Sequence, residues 1–117
     1  MVEAALRAFE IKLLQSIGLL PDLGLVTLTQ QRVDPDRHYA MLPEAGVIAG
    51  RSGIPVVPGH VLLALEAALE DDSLAALQHA CLPSLPDLKI ALRGLLHYHL
   101  GSFVLRTRQV MLQMHKP

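Results

Sequence analysis

Leu6-Arg7-Ala8-Phe9-Glu10-Ile11-Lys12-Leu13-Leu14-Gln15-Ser16-Ile17-Gly18, followed by the loop Leu19-Leu20-Pro21-Asp22-Leu23, is the stretch on which the fold of this chain turns. Val2, Leu6, Phe9, Leu13 and Ile17 recur at steps of three and four, so a helix places them on one stripe, expected to face a core. Ile11 and Leu14 fall outside that stripe. Together with Arg7 they form a flank on which a guanidinium lies beside an apolar patch, giving the helix a packing face and a docking face. Gly18 supplies the left-handed conformation favoured just past a helix end, and Pro21 prevents the helix from resuming.

Beyond Leu23 the pattern changes. Pro35, Pro43, Pro55 and Pro58 with several glycines punctuate short β-prone pieces, Leu25–Thr29, Arg37–Met41 and Gly46–Ala49. The segment Leu42-Pro43-Glu44-Ala45-Gly46 separates two of them as a hairpin loop does. A small β insertion over about residues 24–57 must lean on helices, because an isolated hairpin is marginal in water. A second helix is predicted from Gly59 to Glu70, and a third after Ser73, which is placed to cap it, ending before Pro83. A fourth follows Ser84 as N-cap, with Pro86 and Asp87 in its first turn and Leu88, Leu92, Leu95, Leu96 and Leu100 on one side, up to Gly101. A last helix is predicted from about Arg106 to Met114. The fold class is therefore mainly α: a small helical bundle with a short β-hairpin insertion, one domain over residues 1–117.

Composition narrows the function. Hydrophobic residues make up 51% of the 117 positions and charged residues 18%, and the mean hydropathy is +0.38. That balance implies more apolar surface than a free monomer of this size carries. The net charge of −1 gives no overall attraction to nucleic acid or membranes, so anion binding must come from local clustering. Cys81 is the single cysteine, which excludes an internal disulfide and a cysteine-rich zinc site. It reads as a small buried hydrophobe. The opening residues lack the basic segment of an export signal, and the apolar run from Val61 to Leu69 is too short to span a bilayer. A cytoplasmic protein without membrane association is the expectation.

No catalytic motif is present: the chain has no phosphate-binding glycine loop, no nucleophile elbow and no zinc-protease helix. His97 and His99 are two apart on a helix and point to different faces, so they do not make a metal pair. The charge pattern is more informative. After Asp87 the chain has no acidic side chain, yet it carries Lys89, Arg93, Arg106, Arg108 and Lys116. Lys89, Arg93 and His97 step by four along one helix edge, where like charges repel unless an anion is present. One reading is a phosphate-contacting surface built from Lys89, Arg93, Arg106 and Arg108. The other is a solvated face balanced by Glu66, Glu70, Asp71 and Asp72. Arg7 has two readings as well: an intrahelical pair with Glu3 or Glu10, or, with Ile11 and Leu14, a site for a peptide that combines carboxylates with an apolar side chain.

Taken in order, these pieces resemble the C-terminal helical region of the bacterial DNA repair protein RecO, a recombination mediator. The opening helix is similar to the family's Leu-Arg-x-Phe-Glu-x-x-Leu-Leu, Leu-Gly and Pro-Asp-Leu pattern. The likeness resumes at Pro43-Glu44-Ala45-Gly46-Val47. It closes with Leu92 to Leu96, His99-Leu100-Gly101 and Leu105-Arg106-Thr107-Arg108. Many members of that family carry two Cys-x-x-Cys zinc knuckles. By register those positions are Val26 and Thr29, then Ala49 and Ser52, so the resemblance implies a degenerate, metal-free knuckle region and no cofactor.

The family's N-terminal OB-fold has no counterpart in this sequence, which suggests a truncated product or an isolated C-terminal region. The resemblance implies a non-enzymatic binding module in recombinational repair. Its implied partners are the acidic, apolar-ended tail of the single-strand-binding protein, captured by Arg7, Ile11 and Leu14, with single-stranded DNA and, in full-length relatives, RecR. The alternatives are a structural remnant with no binding of its own or an oligomerisation domain, including a homodimer over surface left bare by the absent OB-fold.

Overall fold

The computed structural model describes residues 2–114, and their side chains for residues 2–101. Helix α1 spans Val2–Ser16, strands β1 and β2 span His38–Leu42 and Gly46–Ala49, and a short β3 spans Val57–Pro58. Helices α2, Gly59–Glu70, and α3, Leu74–Cys81, follow. A 3₁₀ turn at Leu82–Ser84 then leads into the long α4, Leu85–Met114. The mainly α architecture with a small β insertion is the one the sequence predicts.

Helix α1 ends as its glycine requires. Gly18, at φ +77°, turns the chain left-handed. The Leu19 N–H then reaches back to the Leu14 carbonyl at 2.9 Å, and the Gly18 N–H to that of Gln15 at 3.1 Å. This pair of bonds satisfies carbonyls that a helix end otherwise leaves open. Helix α2 ends similarly through Asp72, at φ +50°, and Ser73 then caps α3 by accepting from the Ala76 N–H at 3.1 Å.

The sheet is antiparallel with strand order β2-β1-β3. Met41 pairs with Val47 in the hairpin, and Tyr39 pairs with Val57 on the other side of β1. Strand β3 runs directly into α2. Carbonyls of the loop before β1 receive the first helical amides: Gly59 donates to Arg37 at 2.7 Å and His60 to Pro35 at 3.2 Å. At Gly59 a side chain has no room, because a Cβ there would lie 2.0 Å from the Asp34 carbonyl oxygen.

Every layer contributes to a common core. Ile11 and Leu14 of α1, Leu62 and Leu65 of α2, Leu77 of α3 and Leu88, Leu92 and Leu95 of α4 meet Val33, Tyr39, Met41, Val47 and Val57 from the insertion. Cys81 is buried in the same cluster, as its reading as a small hydrophobe predicts.

Three expectations about element boundaries differ from the structure, and Leu100, expected on the buried side of the fourth helix, is exposed. Leu25–Thr29 is not a strand: it forms a turn closed by an isolated bridge between Leu25 and Arg32, with Gln30 at φ +59°. Gly101 does not end the fourth helix, which runs on through the predicted fifth as one element. A glycine inside a helix costs only about 1 kcal/mol relative to alanine, and no proline lies between Gly101 and Met114 to enforce a stop. Ser84 is not an N-cap; it lies buried in the 3₁₀ turn, whose backbone continues into α4.

Candidate functional site

The faces of α1 are the reverse of those expected from periodicity. The residues packed inward are Ala4, Arg7, Ala8, Ile11 and Leu14. The stripe expected to face the core points outward, with Val2 76%, Leu6 46%, Phe9 62% and Ile17 45% exposed. Ala4 and Ala8 explain the choice, since small side chains on the inner face let α1 approach its neighbours closely. Arg7, Ile11 and Leu14 are therefore part of the packed interior and do not form an exposed docking flank.

Arg7 is paired there within its own helix. Its Nε lies 2.7 Å from Glu10 Oε1. That contact is one of charge without hydrogen-bond alignment: Arg7 Nε, Arg7 Nη1 and Glu10 Oε1 are buried with no hydrogen-bond partner among the described residues. Arg7 also lies near Cys81. Burial pushes the Cys81 thiol up to about 11, and the arginine charge partly opposes that rise.

The basic row lies on α4. Leu88, Leu92 and Leu95 turn one side of the helix into the core, which leaves Lys89 half-buried and Arg93 and His97 exposed along an outer edge. Among the described residues no ion pair includes Lys89 or Arg93. The acidic residues weighed as a counterbalance lie elsewhere: Asp72 is paired with Lys12 at 3.2 Å, and Glu66 and Glu70 line a separate groove. The side chains of Arg106 and Arg108, further along α4, lie outside the described residues. Next to the row, the Tyr98 hydroxyl donates to Glu44 Oε1 and ties α4 to the hairpin loop. That bond holds the phenol above its ordinary pKa.

The structure also forms a site that the sequence did not disclose. Asp22, Glu66 and Glu70 line a groove of about 360 Å³ with Gln15, Leu20 and Leu69. A hydrogen bond with Asp22, with burial and the neighbouring carboxylates adding to it, raises the Glu66 carboxyl to about 7, while Arg32 pulls the other way. A groove of this sign repels phosphate and acidic peptides. The only sequence signal was Glu66 and Glu70 one helical turn apart beside the Pro21-Asp22 loop.

No metal is implied by these side chains: among the described residues, no group of three or more histidine, cysteine or carboxylate side chains is placed to hold one. Nor, among the described residues, is any helix long and apolar enough to cross a membrane.

Fold and surface together define a small helical domain that carries a short β insertion and a basic outer edge on its longest helix. Over nearly its whole length this domain is similar to the bacterial DNA repair protein RecO. The DNA repair protein RecO of Polaromonas sp. (strain JS666) is 44% identical over 115 residues, covering 97% of this chain and 46% of that protein. That of Verminephrobacter eiseniae is 43% identical over 115 residues, covering 97% and 45%. That of Cupriavidus pinatubonensis is 34% identical over 114 residues, covering 94% and 36%. The chain thus spans about half the length of the curated relatives it matches first. No family model matches the chain, and no solved structure matches it.

Proposed function

We propose that this chain acts in bacterial DNA repair and recombination as a RecO-like binding module, without catalysis of its own, that contacts the backbone of single-stranded DNA along the outer edge of α4. The observation that carries this reading is the row of Lys89, Arg93 and His97, whose two permanent cations have no carboxylate partner among the described residues. Like charges one turn apart repel, and a run of phosphates relieves that repulsion. With two Phe, two Tyr and no Trp in the chain, contact is through charge more than base stacking, so sequence preference is weak. Fluorescence anisotropy with an unstructured oligonucleotide tests it. Binding at low salt that Lys89→Ala with Arg93→Ala weakens supports the reading; no binding at low salt leaves a structural remnant.

A second reading rests on Arg7. Its Nε and Nη1 lack hydrogen-bond partners among the described residues, and a carboxylate is the group that best satisfies a guanidinium. The acidic, apolar-ended tail of the single-strand-binding protein offers such a group, and a mediator complex with RecR is the setting the family resemblance implies. Because Arg7 is 2% exposed, the tail must displace what covers it. Tail-peptide binding that Arg7→Met abolishes, with the fold intact, supports this reading; equal affinity for both proteins removes it.

A further inference from the structure

We propose that Asp22 and Glu66 form a proton-held clasp that fastens the loop of residues 20–22 to α2 and releases it, opening the groove between them, when the shared proton is lost. Two elements meet there in one small space. The Glu66 carboxyl lies against Gly24, where a Cβ would fall on Glu66 Oε2. Gly24 is buried, and its N–H donates to Asp22 Oδ1 at 3.0 Å. Asp22 also shares a hydrogen bond with Glu66, so one carboxyl group serves both the loop's own backbone and α2. Two carboxyl groups joined by a hydrogen bond need a proton between them, and with both ionised the contact becomes a repulsion.

The charges around the pair favour keeping that proton. Glu70, one turn on along α2, adds a third carboxylate, while Arg32, exposed on the turn before β1, opposes it through solvent. From α1 the groove meets the neutral Gln15, and Lys12 is engaged with Asp72. Glu66 therefore ionises near 7 in place of 4.5, and the clasp lets go close to neutrality. The movement is bounded on both sides. The Leu19 N–H stays on the Leu14 carbonyl; Leu23 is 2% exposed in the core, and the Gly24 carbonyl accepts from the Val33 N–H at 2.8 Å. Residues 20–22 lift between these anchors, drawing Leu20 and Pro21 away from Leu69 on the other wall of the groove. As Asp22 turns to solvent, the buried Gly24 N–H loses its acceptor. The clasp is independent of DNA contact at α4, so either can fail without the other.

Amide hydrogen exchange of the full chain, followed by NMR and divided by the intrinsic rate at each pH, tests this at the Gly24 N–H. With Glu66 titrating at about 7 when closed and 4.5 when released, protection should fall about tenfold from about pH 6 to about pH 8. Dilute urea should leave that loss unchanged. Glu66→Gln, neutral throughout and able to donate to Asp22, should hold the protection constant. Gly24→Ala puts a Cβ where the Glu66 carboxyl lies and should show, at about pH 6, the low protection of wild type at about pH 8. A pH-independent Gly24 amide in wild type, the same tenfold loss in Glu66→Gln, or full protection in Gly24→Ala overturns the proposal. So does a loss that deepens with urea in step with the Leu77 amide of α3, which donates to the Ser73 carbonyl at 3.0 Å, because the pair then acts only on global unfolding.

Discussion

Thr27 and Val47 hold each other twice: the Thr27 N–H donates to the Val47 carbonyl at 3.0 Å, and the Val47 N–H donates to Thr27 Oγ1 at 2.9 Å. This tie joins the turn after β-prone Leu25–Val26 to strand β2. Gly46 makes room for it, with φ +74° and a Cβ position only 2.2 Å from Thr27 Oγ1. Thr27→Val keeps the shape but removes the acceptor of a partly buried amide. It should cost about 1–2 kcal/mol in urea unfolding, and an unchanged midpoint would show that the hydroxyl is not part of the tie.

The reversed faces of α1 give opposite expectations for neighbouring positions. Leu14→Ala removes a fully buried side chain and should cost about 2–5 kcal/mol. Phe9→Ser alters an exposed one and should change stability by less than about 0.5 kcal/mol. Thermal or denaturant melts of the two variants measure this directly. The reverse order would restore the packing face read from periodicity alone.

Periodicity located α1 and its two apolar sides but could not rank them. Counting apolar residues favours the stripe of Val2, Leu6, Phe9, Leu13 and Ile17, whereas packing selected the side where Ala4 and Ala8 allow close approach and Arg7 is neutralised by Glu10. Helix α2 and the Ser73 cap were legible because their signals are local. The Leu25–Thr29 turn was not, since strand propensity there yields to the Asp22 carboxylate, which takes the Gly24 N–H at 3.0 Å, and to the left-handed Gln30. The row of Lys89 and Arg93 was readable because one helix carries it. The groove of Asp22, Glu66 and Glu70 was not, because a loop has to fold against α2 to form it.

Gly59→Ala should be among the more damaging single changes outside the core, costing about 1–3 kcal/mol. The atom in the way is the Asp34 backbone carbonyl, which cannot swing aside as the end of a side chain can. Equilibrium unfolding would show it, and a neutral substitution would mean that the loop before β1 is not held on the α2 N-terminus.

Stability should also fall as the solution becomes less acidic. Glu66 ionises near 7 in the folded chain against an ordinary 4.5, so the folded state retains a proton that the unfolded chain has lost. Its contribution is present below about pH 4.5 and is lost as pH rises towards 7. Glu66→Gln, permanently neutral and still able to donate to Asp22, should flatten that slope in urea midpoints taken between about pH 5 and 8. A slope identical to wild type would assign the pH dependence to other groups.

Slow chemistry at Cys81 reports on the same core. Buried and held near 11, its thiol should react with a thiol reagent only as the chain opens, at a rate that rises with urea. Rapid labelling in the native state would contradict its place in the core.

The central claim, that α4 carries a phosphate-contacting edge, is tested most directly by the salt dependence of single-stranded DNA binding. Wild type should lose affinity linearly in log K against log salt. Lys89→Ala with Arg93→Ala should reduce the magnitude of that slope by about 1.4, roughly 0.7 for each phosphate no longer neutralised. Identical slopes for wild type and the double variant would contradict it.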